Sequence, residues 1–532
     1  MMNLNPGKLP GVNAKQHQFS NVPKAQLPRS AFDRSHGFKT TLNAGYLVPF
    51  FLDEVYPGDT INLSATIFAR FATLEVPIMD NVYADTHYFF VPWRILWSNW
   101  EKFQGAQNSP GDSTSYVTPT MTSTAVTGYG EMSLFDYMGL PTKVPGLVHS
   151  ALFLRGYNKI FQDWYRDENL QNAVAINTGD GPDSVSDYTL LRRGKRHDYF
   201  TSCLPWTQKG TAVTIPLGTT APVISSGTYF TLKGDTTLTG YSQRGVAGSA
   251  YWGLTPTPGT TELMRFDQTG LVTDLTTASS ATINSLRQAF QIQRIYERDA
   301  RSGTRYVEAL LARWGVVAPD FRLQRPEFLG GASTPINITP IAQTSGTPVS
   351  GTPQANLAAI GTVSGQSGFS KSFVEHGMVI GLISIRSDLN YQQSLNRMWT
   401  RSTRFDYYEP ALAHLGEQAV LNKEIYAQGS ASPSQDAAVF GYQERWAELR
   451  YKPSLITGQF RSNCTTPLDN WHLAQYFTSL PTLSSTFIVE NPPIDRVVAV
   501  PSGPQFLLDA YMNMTHVRVL PTYSVPGLID HF

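Results

Sequence analysis

The stretch PGDTINLSATIFARF, residues 57–71, decides the fold class. Ile61, Leu63, Ala65, Ile67, Ala69 and Phe71 alternate with Thr60, Asn62, Ser64, Thr66 and Arg70, and only Phe68 interrupts the alternation. Successive side chains of an extended chain point to opposite faces, so the stretch reads as a half-buried β-strand opened by a Pro-Gly-Asp turn. NVYADTHYFFVPWRILWSNW, residues 81–100, reads as a second strand running into a short aromatic helix. Further strand candidates lie at 372–386, 443–451 and 495–520. Strands that must pair are therefore far apart in the chain, and the residues between them read as insertions in a β fold.

Composition agrees with that reading. Apolar residues make up 41% of 532, enough for a large core, and aromatics 12%. With 35 prolines and 42 glycines, turns and strands are favoured over a helical bundle. Charged residues reach only 15%, against roughly 25% in ordinary soluble proteins, and 41 basic residues balance 41 acidic ones. A surface with so few charges does little to keep copies of the chain apart. Two cysteines, Cys203 and Cys464, cannot make a disulfide framework in a chain of this length. The N-terminus lacks the apolar core of a signal peptide. The most apolar run, MVIGLISI at 378–385, is far short of the roughly 20 residues that span a bilayer. A soluble, cytosolic product is expected.

Motifs for catalysis are missing. No Walker A loop, strand-following G-x-G-x-x-G, H-E-x-x-H helix, C-x-x-C pair or G-x-S-x-G elbow occurs. Ten scattered histidines and two cysteines do not supply zinc-ligand spacing. His197 and Asp198 beside Cys203 could suggest a nucleophile, but a packed structural cysteine is the better reading of so local a trio. No cofactor, metal or catalytic residue is assigned, and an enzyme is not expected.

Organisation is more informative. Residues 1–40 carry Lys8, Lys15, Lys24, Arg29, Arg34 and Lys39 against Asp33 alone, a balance of +5. They read as a basic N-terminal arm that either touches nucleic acid or clasps a neighbouring subunit. Residues 41–206 hold the first part of the β fold with helical insertions. Residues 207–282 contain 19 Thr and 10 Gly with four basic and four acidic residues, and read as an exposed excursion of small strands. An Arg-rich helical insertion follows at 283–327. Residues 328–370 contain no charged side chain at all; a free tail of that composition would be disordered, and it also suits a segment laid along a partner. Residues 371–532 return to the β fold.

Basic clusters interrupt this neutrality. In LRQAFQIQRIYERDARSGTRY, residues 286–306, Arg287, Arg294, Arg298, Arg301 and Arg305 fall on one helical side, within roughly 60° of one another at 100° per residue. Glu297 can pair with Arg294 and Arg301, and Gly303 can end the helix. Such a row serves subunit or intramolecular carboxylate pairing, or phosphate. LRRGKRHD at 191–198 concentrates four basic residues. NRMWTRSTRFDYY at 396–408 interleaves Arg397, Arg401 and Arg404 with Trp399, Phe405, Tyr407 and Tyr408. Single-stranded nucleic acid is held by that pairing, since bases stack on aromatic faces while arginines meet phosphates.

Longer strings carry a resemblance. PRSAFDRSHGFKTTLNAGYLVPFFLDEVYPGDT, FFVPWRILWSNWEKF, LRQAFQIQRIYERDARSGTRYVEALL, RLQRPEFLGG, DLNYQQSLNRMW, ALAHLGEQAVLNKEIYAQG and FGYQERWAELRYKPSLITGQFRS resemble the major capsid protein of microviruses, small bacteriophages with circular single-stranded DNA, and within them the gokushovirus branch. The likeness covers nearly the whole chain and thins near 217–280. It implies a mainly β fold, an eight-stranded antiparallel jelly roll with large loop insertions and a few helices. It also implies a T=1 icosahedral shell of sixty copies around the genome, assembled in the host cytoplasm and found in the virion. By the same resemblance, residues 210–281 would project outward near the three-fold axes to meet a host cell-surface receptor. Implied partners are further copies of the chain, the single-stranded DNA, an internal scaffolding protein, a small basic DNA-binding protein and a DNA pilot protein, with no membrane insertion. The alternative is a non-assembling β-rich cell-surface or carbohydrate-binding protein acting through 207–282. On the shell reading, Lys8, Lys15, Lys24, Arg29, Arg397, Trp399, Arg401 and Arg404 are the candidate nucleic-acid contacts. Arg287, Arg294, Arg298 and Arg301 are the candidate subunit-interface residues.

Overall fold

A computed structural model describes residues 28–211, 213, 223–225, 232–233, 241–245, 252–256, 265–266, 271–273, 283–302, 306–315, 324–344 and 354–523. The chain divides into two compact units, one of Met1–Thr207 with Ala318–Phe532 and one of Gln208–Val317.

The first unit is built on two antiparallel sheets. Its strands, in chain order, are β1 (Ser30–Asp33), β2 (His36–Leu42), β3 (Val48–Val55), β4 (Thr60–Phe71), β5 (Val82–Pro92), β6 (Glu327–Pro335), β7 (Asn337–Ala342), β8 (Leu357–Ser372), β9 (Gly377–Ser387) and β10 (Phe506–Arg518). One sheet runs β1-β10-β4-β8-β7, with β2 also pairing β10; the other runs β6-β5-β9-β3. Partners are far apart in sequence: Ile67 of β4 faces Ala510 of β10 and Gly365 of β8. The opening stretch thus lies near the middle of its sheet. Its inner side, Ile61 to Phe71 at every second residue, is buried, and it meets Val379, Ile383 and Ile385 of β9 across a shared core. Burying each such side chain contributes about 1.5–3 kcal/mol.

The two sheets differ in what covers them, and the sequence patterns follow. The β4 sheet leaves its outer side open. There Phe68 is 51% exposed, in step with its strand's alternation, and Thr60 and Ser64 bond Ser372 and Gln366 across the strands at 2.8 and 2.7 Å. The other sheet is covered on both sides along β9. A helical layer containing α1 (Leu152–Ile160) packs Leu154, Tyr157 and Ile160 against Phe89, Met378 and Ile380. Every residue of β9 is therefore buried, and its sequence is a continuous apolar run because neither side meets water.

Residues 328–370, expected as an uncharged extended segment, lie mostly within the sandwich where they are described. They supply β7, nearly all of β6 and most of β8. The physical reason is close approach. A Cβ on Gly331 would lie 2.3 Å from the Thr86 carbonyl oxygen, and one on Gly368 2.0 Å from that of Leu63. A glycine-rich, uncharged composition here serves crossing strands rather than disorder. Of the other expected strands, 81–100 gives β5 followed by the short helix Trp100–Phe103. Residues 443–451 hold only the end of strand Val439–Glu444, then a 3₁₀ turn at Ala447–Leu449.

In the second unit, short antiparallel pairs nest inside one another: 223–225 with 271–273, 232–233 with 265–266, and 241–245 with 252–256. The unit also holds helices α2 (Ile283–Ser302) and α3 (Tyr306–Trp314).

Candidate nucleic-acid interface

The aromatic–arginine stretch rests on a small core outside the sandwich, in which Phe200, Cys203, Tyr391, Val420, Ile425 and Phe487 pack together. Two local turns shape it. Asn396 caps the 3₁₀ turn Arg397–Trp399 by accepting the Met398 N–H at 3.0 Å. Asp406 caps the turn Arg404–Asp406, accepting the Thr403 N–H at 2.7 Å and the Ser402 N–H at 3.1 Å. Those backbone bonds hold the Asp406 carboxyl down at about 2. The turns leave Trp399 74% exposed, with Phe405, Tyr407 and Tyr408 also at the surface.

The four candidates here separate into two kinds. Arg397 donates to Ala419 O at 2.8 Å and to Glu424 Oε1 at 3.1 Å. Arg401 donates to Glu448 Oε1 at 3.3 Å. Both carboxylates are buried. Glu424 also accepts the Tyr199 hydroxyl at 2.7 Å; burial outweighs these partners and raises its pKa. Burial works against the Arg397 charge too, but the Glu424 carboxylate prevails and its pKa is raised. These two arginines are committed to ion pairs within the chain. Trp399 and Arg404 are not, and Arg404 lies along the Phe405 ring, 6.0 Å from its centre. Sequence periodicity could not separate the two kinds, because Glu424 and Glu448 come from other segments.

Two adjoining clefts flank this wall and share Arg397, Glu424 and Glu448. One, of about 300 Å³, is lined by Phe200, Met398, Trp399, Tyr451 and Leu455, with Lys452 and Arg461 also on its wall. The other, of about 230 Å³, is polar and holds Arg401, Lys423 and Arg445. Sequence reading missed Lys423, Arg445, Lys452 and Arg461, which form no dense basic run in the chain.

The remaining candidates lie elsewhere. Lys8, Lys15 and Lys24 fall outside the described residues. Arg29 is exposed just before β1. On α2, Arg287, Arg294, Arg298 and Arg301 are all exposed. Glu297 accepts from Gln293 at 3.0 Å; among the described residues it makes no ion pair with Arg294 or Arg301. Gly303 and Arg305 lie outside the described residues, and α2 is described from Ile283 to Ser302. In the 191–198 cluster, Arg193 pairs with Asp85, Arg192 donates to Glu490 O at 2.9 Å, and Lys195 donates to Gln475 Oε1 at 3.0 Å. That cluster is internal stitching. Cys203 is a packed residue: it is buried, its thiol donates to Tyr199 O at 3.3 Å, and burial pushes its pKa far up.

A family model described as capsid protein (F protein) matches residues 20–528. The capsid protein VP1 of Bdellovibrio phage phiMH2K is 47% identical over 535 residues, covering 98% of this chain and 99% of that one. The capsid proteins VP1 of Chlamydia phage 1 and Spiroplasma virus 4 are 45% and 38% identical, with the same coverage of both chains.

Proposed function

The chain belongs to the phage capsid protein (F protein) family, and from that premise we propose that its copies tile a T=1 icosahedral shell of sixty subunits around a circular single-stranded DNA genome. It is a structural shell protein of the virion and not an enzyme. The observation that carries the finer reading is full-length similarity to three capsid proteins, together with a strand order that fits a jelly roll. With β1 and β7 set aside, the remaining eight strands neighbour one another as β2-β10-β4-β8 and β3-β9-β5-β6. Two four-stranded antiparallel sheets with this alternation make the jelly roll of viral shells.

Neutrality suits the proposal. Sixty copies meet through repeated interfaces, and a strongly charged subunit would repel itself at each one. A neutral shell cannot neutralise a genome that carries a phosphate at every nucleotide, so counterions or a small basic protein share that task. Lys8, Lys15, Lys24 and Arg29 of the arm, with Trp399 and Arg404, face the genome; α2 serves subunit contacts; residues 210–281 project toward the host. Internal scaffolding and DNA pilot proteins act during assembly and delivery.

Sedimentation of the protein from producing cells tests this. A fast, uniform peak with nucleic-acid absorbance is expected. A slow peak in the presence of the other viral proteins would overturn the shell.

A further inference from the structure

The polar cleft beside Arg401 is short of one kind of partner. Each of its carboxylates already accepts from the protein: Asp406 from Ser402 and Thr403, Glu424 from Arg397 and Tyr199, and Glu448 from Arg401 and Gln418. Its cations are not used up. Arg401 Nε and Arg445 Nε are buried without an acceptor, although Arg445 NH2 reaches Phe405 O at 3.2 Å. Lys423 Nζ has no acceptor among the described residues. Four cations, Arg397, Arg401, Lys423 and Arg445, stand against three carboxylates. Buried donors without acceptors are costly, so what completes this cleft brings acceptor oxygen, and the excess of cations favours one that carries negative charge.

The second cleft says what that oxygen is attached to. It opens from the same Arg397–Glu424–Glu448 wall, and its surface is apolar and aromatic, with Trp399 presenting an exposed ring. Lys452, also without an acceptor among the described residues, lies on its wall. An anion joined to a flat ring has the chemistry of both halves.

We propose that these paired clefts are a nucleotide site, holding a phosphate at Lys423 and Arg445, beside the carboxylate-fixed Arg401, and a base against Trp399. This rests on the genome-enclosing reading and deepens it. Arg397 and Arg401 become a wall fixed by carboxylates, and Lys423, Arg445 and Lys452 take over the phosphate contacts that the 397–404 stretch suggested. The recognition is of phosphate plus ring, without sequence preference, since any base offers a π face.

The test is equilibrium titration of the full-length chain with thymidine monophosphate, inorganic phosphate and an oligothymidine of about ten nucleotides, within the site sizes of single-strand binders. Expected is binding of the two nucleotides well above that of inorganic phosphate. Lys423→Gln with Lys452→Gln weakens the oligothymidine about tenfold and lowers its salt dependence by about 0.7 per lost contact. Trp399→Ala weakens both nucleotides and leaves inorganic phosphate unchanged. Arg70→Gln, on the outer side of β4, serves as the charge control. A gain from monophosphate to oligothymidine assigns the site to the genome strand, whereas equal affinities assign it to free nucleotide, and either supports the proposal. Equal binding of inorganic phosphate and thymidine monophosphate would overturn it, as would unchanged affinities in variants that still form particles. Failure of the unaltered chain to form particles would count against the shell and not against this site.

Discussion

Asp85 and His516 show how few buried charges the sandwich tolerates and how closely it pairs them. Asp85 of β5 is 4% exposed and accepts from Arg386 at 2.7 Å and from Arg193. Arg386 is itself buried, so Asp85→Ala would leave its charge uncompensated. A cost of about 3–5 kcal/mol is expected, read as a lower denaturation midpoint of the unassembled chain; a change under about 1 kcal/mol would mean the pair relaxes to water. His516 of β10 is fully buried. Its Nδ1 lies 2.9 Å from Arg34 NH1, and a guanidinium only donates, so Nδ1 accepts and Nε2 donates to Asp59 Oδ2 at 3.0 Å. For both Asp53 and Asp85 burial alone would raise the carboxyl pKa, but Arg34 in one case and Arg386 in the other outweigh it and lower it. A carboxyl with a lowered folded pKa stabilises the fold above its unfolded value and ceases to do so as pH falls through the folded one. Melting temperature should therefore fall steeply below about pH 4, and Asp53→Asn should flatten that fall. An identical slope in the variant would assign the acid sensitivity elsewhere.

At the scale of elements, the glycines of β6 and β8 matter more than the strands' propensities. β8 runs beside β4 along its length, from Thr362 opposite Arg70 to Ser372 opposite Thr60, and Gly368 leaves no space for a side chain against Leu63 O. Gly368→Val raises β propensity yet should cost at least about 3 kcal/mol, the upper range for overpacking a close contact. Folded yield and denaturant midpoint measure it, and a variant as stable as the parent would show that the two strands can part. Threonine and glycine content alone gave no hint of these strands, because without alternation of apolar residues a strand is recognised only by its neighbours. The 57–71 strand and the 378–385 run were legible for the opposite reason. One has a wet face and a dry face; the other has two dry ones.

At the scale of the whole molecule, α2 carries the prediction. Arg294 and Arg298 are exposed on it, and Glu297 beside them bonds Gln293 instead. If the row meets carboxylates of a neighbouring copy, Arg294→Glu with Arg298→Glu should abolish particles while the free chain keeps its circular dichroism. Particles that form normally but carry less DNA would reassign the row to phosphate.

The sequence by itself determined the fold class, the family and the neutrality of the subunit. Those properties are written in local alternation, in long shared strings and in simple charge balance. It also marked 396–408 as the basic aromatic stretch. Tertiary structure decided which of those charges remain available. Arg397 and Arg401 are paired to Glu424 and Glu448, while Lys423, Arg445 and Lys452, unremarkable in the chain, gather around the same two clefts. A charge is spent or free according to what lies within a few ångströms of it, and around these clefts those neighbours come from other segments of the chain.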